Sequence, residues 1–277
     1  MHKIPVFATA AAAYRFLFRD LGTILRLSWF PLLLATIIQY VAEWAQRSFA
    51  RSVIENGVMV SRTDGGVLPW AWQALDFLVL IVATAVVAVA LHRVILFNDR
   101  HPGRWLHLSF GKVEGLFAVL PIVFFAVWYP LIFAMVVPWF GLGLLPFTYA
   151  ILIGLLLLIM VVAVRMSLIF PLTVVEGRYD FASAWALTRG NFWRLVGLWL
   201  VVAIPMIVVA LVVAYAVLFR PLLSTGAIPA IDAPQWQLTQ AVFSCVWSII
   251  SDALGVAVLS YSYKAVVGRR PDYVLTR

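Results

Sequence analysis

Residues 115–164 decide the fold, and they read GLFAVLPIVFFAVWYPLIFAMVVPWFGLGLLPFTYAILIGLLLLIMVVAV. No Asp, Glu, Lys or Arg occurs in this stretch. It is long enough for two crossings of a bilayer, because about 20 apolar residues span a hydrocarbon core of about 30 Å. The same bias runs through the whole chain of 277 residues, of which 64% are hydrophobic and 12% are charged. Soluble domains carry about 25% charged residues, so a water-soluble fold is excluded.

Six apolar segments are long enough to cross a membrane. The sequence therefore predicts an all-α, polytopic helical bundle that forms one membrane domain over residues 1–277. The predicted spans cover about 22–45, 70–94, 113–136, 142–167, 192–219 and 239–265.

The distribution of basic residues predicts the orientation of the bundle. Only four of the 20 Lys and Arg residues fall on one side of the predicted membrane, and these are Arg47, Arg51, Arg62 and Arg220. Loops rich in Lys and Arg stay in the cytoplasm. We therefore expect both termini to be cytoplasmic, which agrees with an even number of spans, since these leave both termini on one side. We also expect the protein to lie in the inner membrane of a bacterium.

Two segments outside the spans have the pattern of amphipathic helices, at about 6–19 and 180–189. In the second, Asp180 is expected to cap the N-terminus, Gly190 to end the helix in the left-handed conformation, and Asn191 to cap the following span. Both helices are predicted to lie at the cytoplasmic membrane interface. Between the first two spans, Asn56-Gly57 is flanked by β-branched residues and predicts a β-hairpin.

No catalytic, nucleotide-binding or metal-binding motif is present. The single cysteine, Cys245, excludes an internal disulfide and a thiolate metal site. Asp99, His101 and His107 share one short loop, but a solvated loop explains them better than a metal site. His92 is expected to be an interfacial residue, and Glu43 and Asp76 are expected to be solvated near the outer span ends. We predict no enzyme activity, no cofactor and no metal.

The last predicted span carries the most informative polar residues. Asp252 lies near its centre, where a charged carboxylate costs about 2.5–3.5 kcal/mol. Ser244, Ser248 and Asp252 are four residues apart and therefore form one stripe on one helix face, which Ser251 widens. The stripe could handle protons or a solute. Alternatively, a neutral, hydrogen-bonded Asp252 could join neighbouring helices.

Each predicted span also carries a basic residue near its cytoplasmic end, and a further arginine ends the second predicted amphipathic helix. Guanidinium groups match the geometry of lipid phosphates, so these residues could bind anionic headgroups. Alternatively, they could be ordinary anchors whose charges reach the interface and set the topology. The residues are Arg26, Arg93, Lys112, Arg165, Arg189, Arg194 and Lys264.

Residues 182–195, ASAWALTRGNFWRL, together with residues 165–171, RMSLIFP, resemble a family of uncharacterised bacterial inner-membrane proteins. They are also similar to the membrane domain that precedes the catalytic domain in some glycerophosphodiester phosphodiesterases. The resemblance implies a six-span helical domain with the segment 182–195 on the cytoplasmic side. It does not imply phosphodiesterase activity, because that chemistry belongs to a separate soluble barrel.

The sequence thus favours a non-enzymatic membrane protein that binds anionic lipid or a membrane-protein partner at its cytoplasmic rim. The net charge of +8 is explained by cytoplasmic anchoring rather than by nucleic acid, because no basic run or soluble domain is present. The alternative is a small transporter or lipid-translocating protein that uses Asp252 and the serine stripe.

Overall fold

The computed structural model describes residues 2–55, 58–63, 68–99, 108–141, 145–219 and 234–268. Its elements in chain order are α1 (Val6–Arg19), α2 (Leu21–Phe49), β1 (Ala50–Glu55), β2 (Val58–Thr63), α3 (Leu68–Phe97), α4 (Lys112–Gly141), α5 (Leu145–Met166), α6 (Ile169–Glu176), α7 (Phe181–Thr188), α8 (Phe192–Ala214), a π-helical turn (Tyr215–Phe219) and α9 (Pro234–Val267). The fold is an all-α polytopic bundle with one small hairpin.

The described residues contain six stretches that are long and apolar enough to cross a membrane, as the sequence predicts. Several helices are longer than their predicted spans, because they continue beyond the apolar segment into more polar sequence. The apolar stretches are Leu21–Ala45, Ala71–Phe97, Lys112–Ala134, Tyr149–Glu176, Phe192–Val217 and Trp236–Val267.

Helices α3 and α9 lie at the centre of the bundle. Helix α9 packs against α1, α2, α3, α6 and α8, and α3 also contacts α2 and α4. Within the apolar stretch of α3, 44% of residues are buried by protein, against 11% in those of α4 and α8. The outer faces of α4 and α8 therefore present Val, Leu, Ile and Phe side chains to the surroundings, as lipid contact requires.

The first and last described residues, His2 and Gly268, lie at the same end of the bundle. A Cβ atom on Gly268, which follows α9, would lie 3.5 Å from Cδ2 of His2. The Lys264 ammonium donates a hydrogen bond to the carbonyl of Ile95, so α3 also finishes there. We name this the terminal end and the opposite one the far end.

The predicted hairpin is confirmed at the far end. Strands β1 and β2 pair antiparallel, with Ala50 opposite Thr63 and Glu55 opposite Val58. The two predicted turn residues, Asn56 and Gly57, lie outside the described residues. Two strands alone are marginally stable in water, and this hairpin follows directly from α2, with which β1 is in contact.

The segment between α5 and α8 contains one predicted and one unpredicted helix. Helix α7 begins as expected at Asp180, whose Oδ1 accepts from the Ser183 backbone N–H at 2.9 Å. Gly190 has φ +80, the left-handed conformation expected between α7 and α8. Helix α6 was not predicted: the fourth predicted span ended at residue 167, and no helix was assigned to the residues that α6 covers after the turn at residues 167–168.

Candidate functional site

The seven basic residues predicted to bind headgroups do not share one environment. Lys112, the first residue of α4, and Arg189, which follows α7, are exposed, and Arg26 on α2 is partly buried. Four of the seven have contacts that bear on this prediction, and these are Arg93, Arg165, Arg194 and Lys264.

Arg93 connects α3 to α4 through a buried carboxylate. Its guanidinium lies 3.5 Å from Oε1 of Glu114, and the two side chains are 32% and 4% exposed. The second oxygen of Glu114 accepts from the Gly111 backbone N–H at 2.9 Å. Glu114 is the third residue of α4, so it caps the helix in the manner of a capping box. Arg93 therefore compensates a buried charge.

The segment before α1 is docked on the start of α8. Asn191 is 2% exposed, and its Oδ1 accepts from the Ile4 backbone N–H at 3.0 Å. Its Nδ2 donates to the His2 carbonyl at 3.2 Å, and Arg194 donates to the Ile4 carbonyl at 2.9 Å. Asn191 precedes α8 as predicted, but its side chain makes no capping hydrogen bond. The prediction that Asn191 caps α8 by its side chain is wrong, because the amide binds the N-terminal segment instead.

Helix α1 runs alongside α8 and in the same direction. Ile4 lies beside Asn191, and ten residues later the Tyr14 hydroxyl donates to the Val202 carbonyl at 2.8 Å. Comparable numbers of helical residues separate the two contacts on each chain segment. Burial raises the pKa of the Tyr14 phenol, which keeps it protonated as a donor.

Arg165 lies where α5, α7 and α8 meet. The centre of its guanidinium is 5.3 Å from the centre of the Trp185 ring and 5.5 Å from that of Phe192. One guanidinium nitrogen, Nη1, is buried without a hydrogen-bond partner among the described residues. The backbone here is fixed by Thr188, which is fully buried and whose hydroxyl lies 3.1 Å from the Arg165 carbonyl. We name these four residues the arginine corner.

The arginine corner has the electrostatics of an anion site. Cation–π contacts orient the guanidinium without neutralising its charge. The N-terminus of α8 is adjacent and lacks a side-chain cap, so its partial positive charge is retained. Exposed Arg189 precedes this N-terminus by three residues. A phosphate oxygen could satisfy the buried Nη1, since guanidinium forks bind phosphate strongly.

The predicted polar stripe lies on α9, and its first residue forms part of a cleft. Ser244 lines a cleft between α2 and α9 near the far end, and Ser248 and Asp252 follow at successive turns of about 6 Å. Ser251 donates to the Ser248 carbonyl at 3.2 Å. Oδ2 of Asp252 is buried without a hydrogen-bond partner among the described residues. The stripe therefore contains one unsatisfied polar atom at mid-span.

The cleft is lined mainly by polar side chains. Glu43 was expected to be solvated, but it is partly buried in the cleft wall, where its Oε1 accepts from Gln39 at 3.3 Å. Asp76 on α3 is close enough for its carboxylate and that of Glu43 to repel each other. The lining residues are Thr36, Gln39, Tyr40, Glu43, Gln237, Gln240, Ala241 and Ser244. Sequence reasoning missed this site because the α2 and α9 residues are far apart in the chain.

His92 was expected at the interface, and that expectation is wrong. It is 1% exposed, its Nδ1 lies 2.7 Å from the Ser260 hydroxyl oxygen, and its ring packs edge-on against Phe117. Helix α9 thus covers the His92 side chain, which its position in the sequence had placed near the end of a span. The pair joins α3 to α9 within the core.

The described part of the chain contains no group of three or more His, Cys, Asp or Glu side chains that could hold a metal ion. Of the loop residues considered above, His101 and His107 lie outside the described residues. Cys245 on α9 is a free, partly buried thiol.

The fold and its six apolar helices define a multi-pass membrane protein. Comparison of the chain with protein-family models, with curated proteins and with solved structures gives no match. The argument for a particular role therefore rests on the two sites described above.

Proposed function

We propose that this multi-pass membrane protein is not an enzyme and that it binds the phosphate of an anionic lipid headgroup at the arginine corner. The observation that carries the proposal is the buried, unpartnered Nη1 of Arg165 beside the N-terminus of α8. A buried donor left unpaired costs about 1–3 kcal/mol, and a phosphate oxygen would remove that cost.

The surroundings of Arg165 support a lipid ligand over a soluble anion. The Trp185 side chain is 42% exposed, and Trp193, next to Phe192, is 76% exposed. Tryptophan rings favour the boundary between headgroups and acyl chains. A membrane-protein partner with an acidic segment is the other occupant that the same chemistry would accept.

We propose that the terminal end faces the cytoplasm of a bacterium and that the protein lies in its inner membrane. The excess of Lys and Arg on the side of the spans that carries both predicted termini supports this orientation. The resemblance of residues 182–195 to a bacterial inner-membrane family agrees with it. Reporter domains fused after residue 277 would test the orientation, since alkaline phosphatase is active only outside the cytoplasm.

Native mass spectrometry of the full-length protein, released gently from its membrane, tests headgroup binding. We expect the protein to retain anionic phospholipid and the Arg165→Met variant to lose most of it. Arg165→Lys should retain an intermediate amount, because an ammonium lacks the planar fork. Lys112→Met, which removes an exposed charge from α4, is the matched control and should retain the lipid.

Equal lipid loss in Arg165→Met and Lys112→Met would overturn the proposal, because it would show that only net charge matters. Retention of a protein in place of lipid, lost on the same substitution, would assign the corner to a partner. Size-exclusion chromatography of each variant establishes that the bundle has folded.

The second candidate function is transport or lipid translocation along the α9 stripe. It is favoured by the unpartnered Oδ2 of Asp252 and by the position of Ser244 in the cleft wall. In a Cys245→Ser background, Ser248→Cys should react with a small hydrophilic thiol reagent. Val246→Cys, on an exposed face of α9, is the control and should be protected by lipid. Protection of both positions from both sides of the membrane would refute a hydrated path.

A further inference from the structure

A tight turn between α7 and α8 carries a basic residue on its exposed corner. The Asn191 backbone N–H donates to the Thr188 carbonyl at 3.0 Å, which closes a turn of four residues. Arg189 has φ −63 and ψ 126, and Gly190 has φ +80, and these angles match the two central residues of a type II turn. Arg189 is therefore the second residue of the turn, and it is exposed.

The N-terminal segment brings a lysine to the last residue of this turn. Lys3 lies between two backbone groups that bind the Asn191 side chain. These groups are the His2 carbonyl, at 3.2 Å from Nδ2, and the Ile4 N–H, at 3.0 Å from Oδ1. The Ile4 carbonyl accepts from Arg194 at 2.9 Å, and the Ile4 side chain is fully buried. The backbone on both sides of Lys3 is therefore fixed, while Lys3 itself is exposed.

The same turn connects these two residues to the arginine corner. The hydroxyl of its first residue, Thr188, lies 3.1 Å from the Arg165 carbonyl. The residue that follows the turn is Phe192, whose ring centre lies 5.5 Å from the Arg165 guanidinium. Lys3 and Arg189 therefore lie at the same N-terminus of α8 as Arg165, although the three residues are far apart in the sequence. We name Lys3 and Arg189 the basic pair.

The positive charge at this end of α8 exceeds the charge of one phosphodiester. Neither member of the basic pair has an ion-pair partner among the described residues. A phosphodiester has a single negative charge, which Arg165 and the N-terminus of α8 already match. Lys3 is held beside Asn191 and Arg189 precedes it by two residues, so both long side chains can reach a ligand bound there. The basic pair is thus available for a further anionic group.

From these observations we propose that the basic pair binds a second phosphate, so that the ligand of the arginine corner is a lipid whose headgroup carries two phosphate groups. This inference rests on the proposed binding of a lipid phosphate at Arg165. The guanidinium fork of Arg189 and the ammonium of Lys3 hold the second phosphate, while Nη1 of Arg165 binds the first.

Native mass spectrometry of the full-length protein tests the proposal with two lipids. The protein is mixed with equal concentrations of cardiolipin, which has two phosphates, and phosphatidylglycerol, which has one. We expect the wild type to retain cardiolipin in preference by at least about tenfold. Lys3→Met and Arg189→Met should each lower this preference, and the double variant should lose most of it while retaining phosphatidylglycerol. Lys112→Met, which removes an exposed charge from α4, is the matched control and should keep the preference.

The comparison between variants separates the phosphates of cardiolipin from its four acyl chains, because the chains are the same in every sample. Asn191→Ala gives an independent test, since it releases the backbone that holds Lys3 without removing a charge. It should lower the preference for cardiolipin as much as Lys3→Met does, and the two substitutions together should lower it no further.

An unchanged preference in the double variant would overturn the proposal, as would an equal loss in Lys112→Met or the absence of any preference in the wild type. Loss of both lipids in Arg165→Met, with a preference that is independent of the basic pair, would overturn only the second phosphate site. Retention of both lipids in Arg165→Met, with a preference that depends on the basic pair, would overturn only phosphate binding at Arg165. The two proposals can therefore fail separately.

Discussion

Replacing Asn191 by Ala should detach the N-terminal segment from the bundle. The substitution removes two hydrogen bonds, from Ile4 N–H at 3.0 Å and to the His2 carbonyl at 3.2 Å. Each contributes about 0.5–1.5 kcal/mol net, and a buried N–H left unpaired costs about 1–3 kcal/mol. Ile4 is fully buried, whereas His2 is exposed and its carbonyl can bind water. We therefore expect a loss of about 2–4 kcal/mol.

A denaturing-detergent titration of the purified protein measures this change in the free energy of unfolding. Asn191→Asp still accepts from Ile4 but buries a carboxylate against the His2 carbonyl, so it should cost at least as much as Asn191→Ala. Deleting residues 2–5 completes a double-mutant cycle. In the deleted background, Asn191→Ala should cost less than about 0.5 kcal/mol.

Equal costs of Asn191→Ala in the full-length and shortened chains would refute this reasoning, because additivity would mean that the amide acts elsewhere. Limited proteolysis gives an independent measurement. The N-terminal segment of Asn191→Ala should be cut faster than that of the wild type, while cleavage elsewhere should be unchanged.

Three further predictions concern local structure. Gly190→Ala should cost about 1–2 kcal/mol in the same titration, because φ is +80 at this residue. Gly197→Ala lies in the helical interior of α8 and has open space where a Cβ would lie, so it should be neutral or stabilising. Equal effects of the two substitutions would contradict the argument from φ. Hydrogen bonds from the Ser183 hydroxyl and backbone hold the pKa of Asp180 below its usual range. The stabilisation that Asp180 gives α7 should therefore be present above about pH 4 and lost as pH falls below it. The Tm of Asp180→Asn should fall less on acidification than the Tm of the wild type. An equal fall in both proteins would refute the role of Asp180 as the helix cap. Glu114→Gln should leave Arg93 without its partner charge and lower the free energy of unfolding. Adding Arg93→Met to this variant should restore part of the loss. No restoration would show that Arg93 and Glu114 do not interact.

The architecture was predictable because lipid imposes a simple rule on the sequence. A backbone that crosses a bilayer must satisfy its hydrogen bonds internally, so each long apolar run becomes a helix wherever it packs. The same holds for local signals such as Asp180, Gly190 and the Asn56-Gly57 hairpin, whose physics involves neighbours in the chain. Helix α6 was missed because its eight largely apolar residues are too few for a span of their own and carry no amphipathic pattern.

The sites were less predictable, because their contacts join residues far apart in sequence. Asn191 looked like a helix cap, which is the commonest use of an asparagine before a helix, but its partners are His2 and Ile4. His92 looked interfacial because it stands beside Arg93 near a span end. Only the packing of α9 over α3 shows that it is buried. Glu43 likewise acquires its polar neighbours from α9.

The basic residues show why charge counting predicts a side of the membrane but not a binding site. The positive-inside rule depends on how many Lys and Arg residues flank the spans. A residue counts equally whether or not its charge is bound by another group of the protein. Arg93 already compensates Glu114, Arg194 binds the Ile4 carbonyl, and Lys264 binds the carbonyl of Ile95 at the end of α3. Arg165 differs because aromatic rings hold it in place and one buried nitrogen has no partner among the described residues. A ligand that supplies the missing acceptor gains both the charge and the preorganised geometry. Of these four basic residues, Arg165 is therefore the one whose substitution should separate binding from topology.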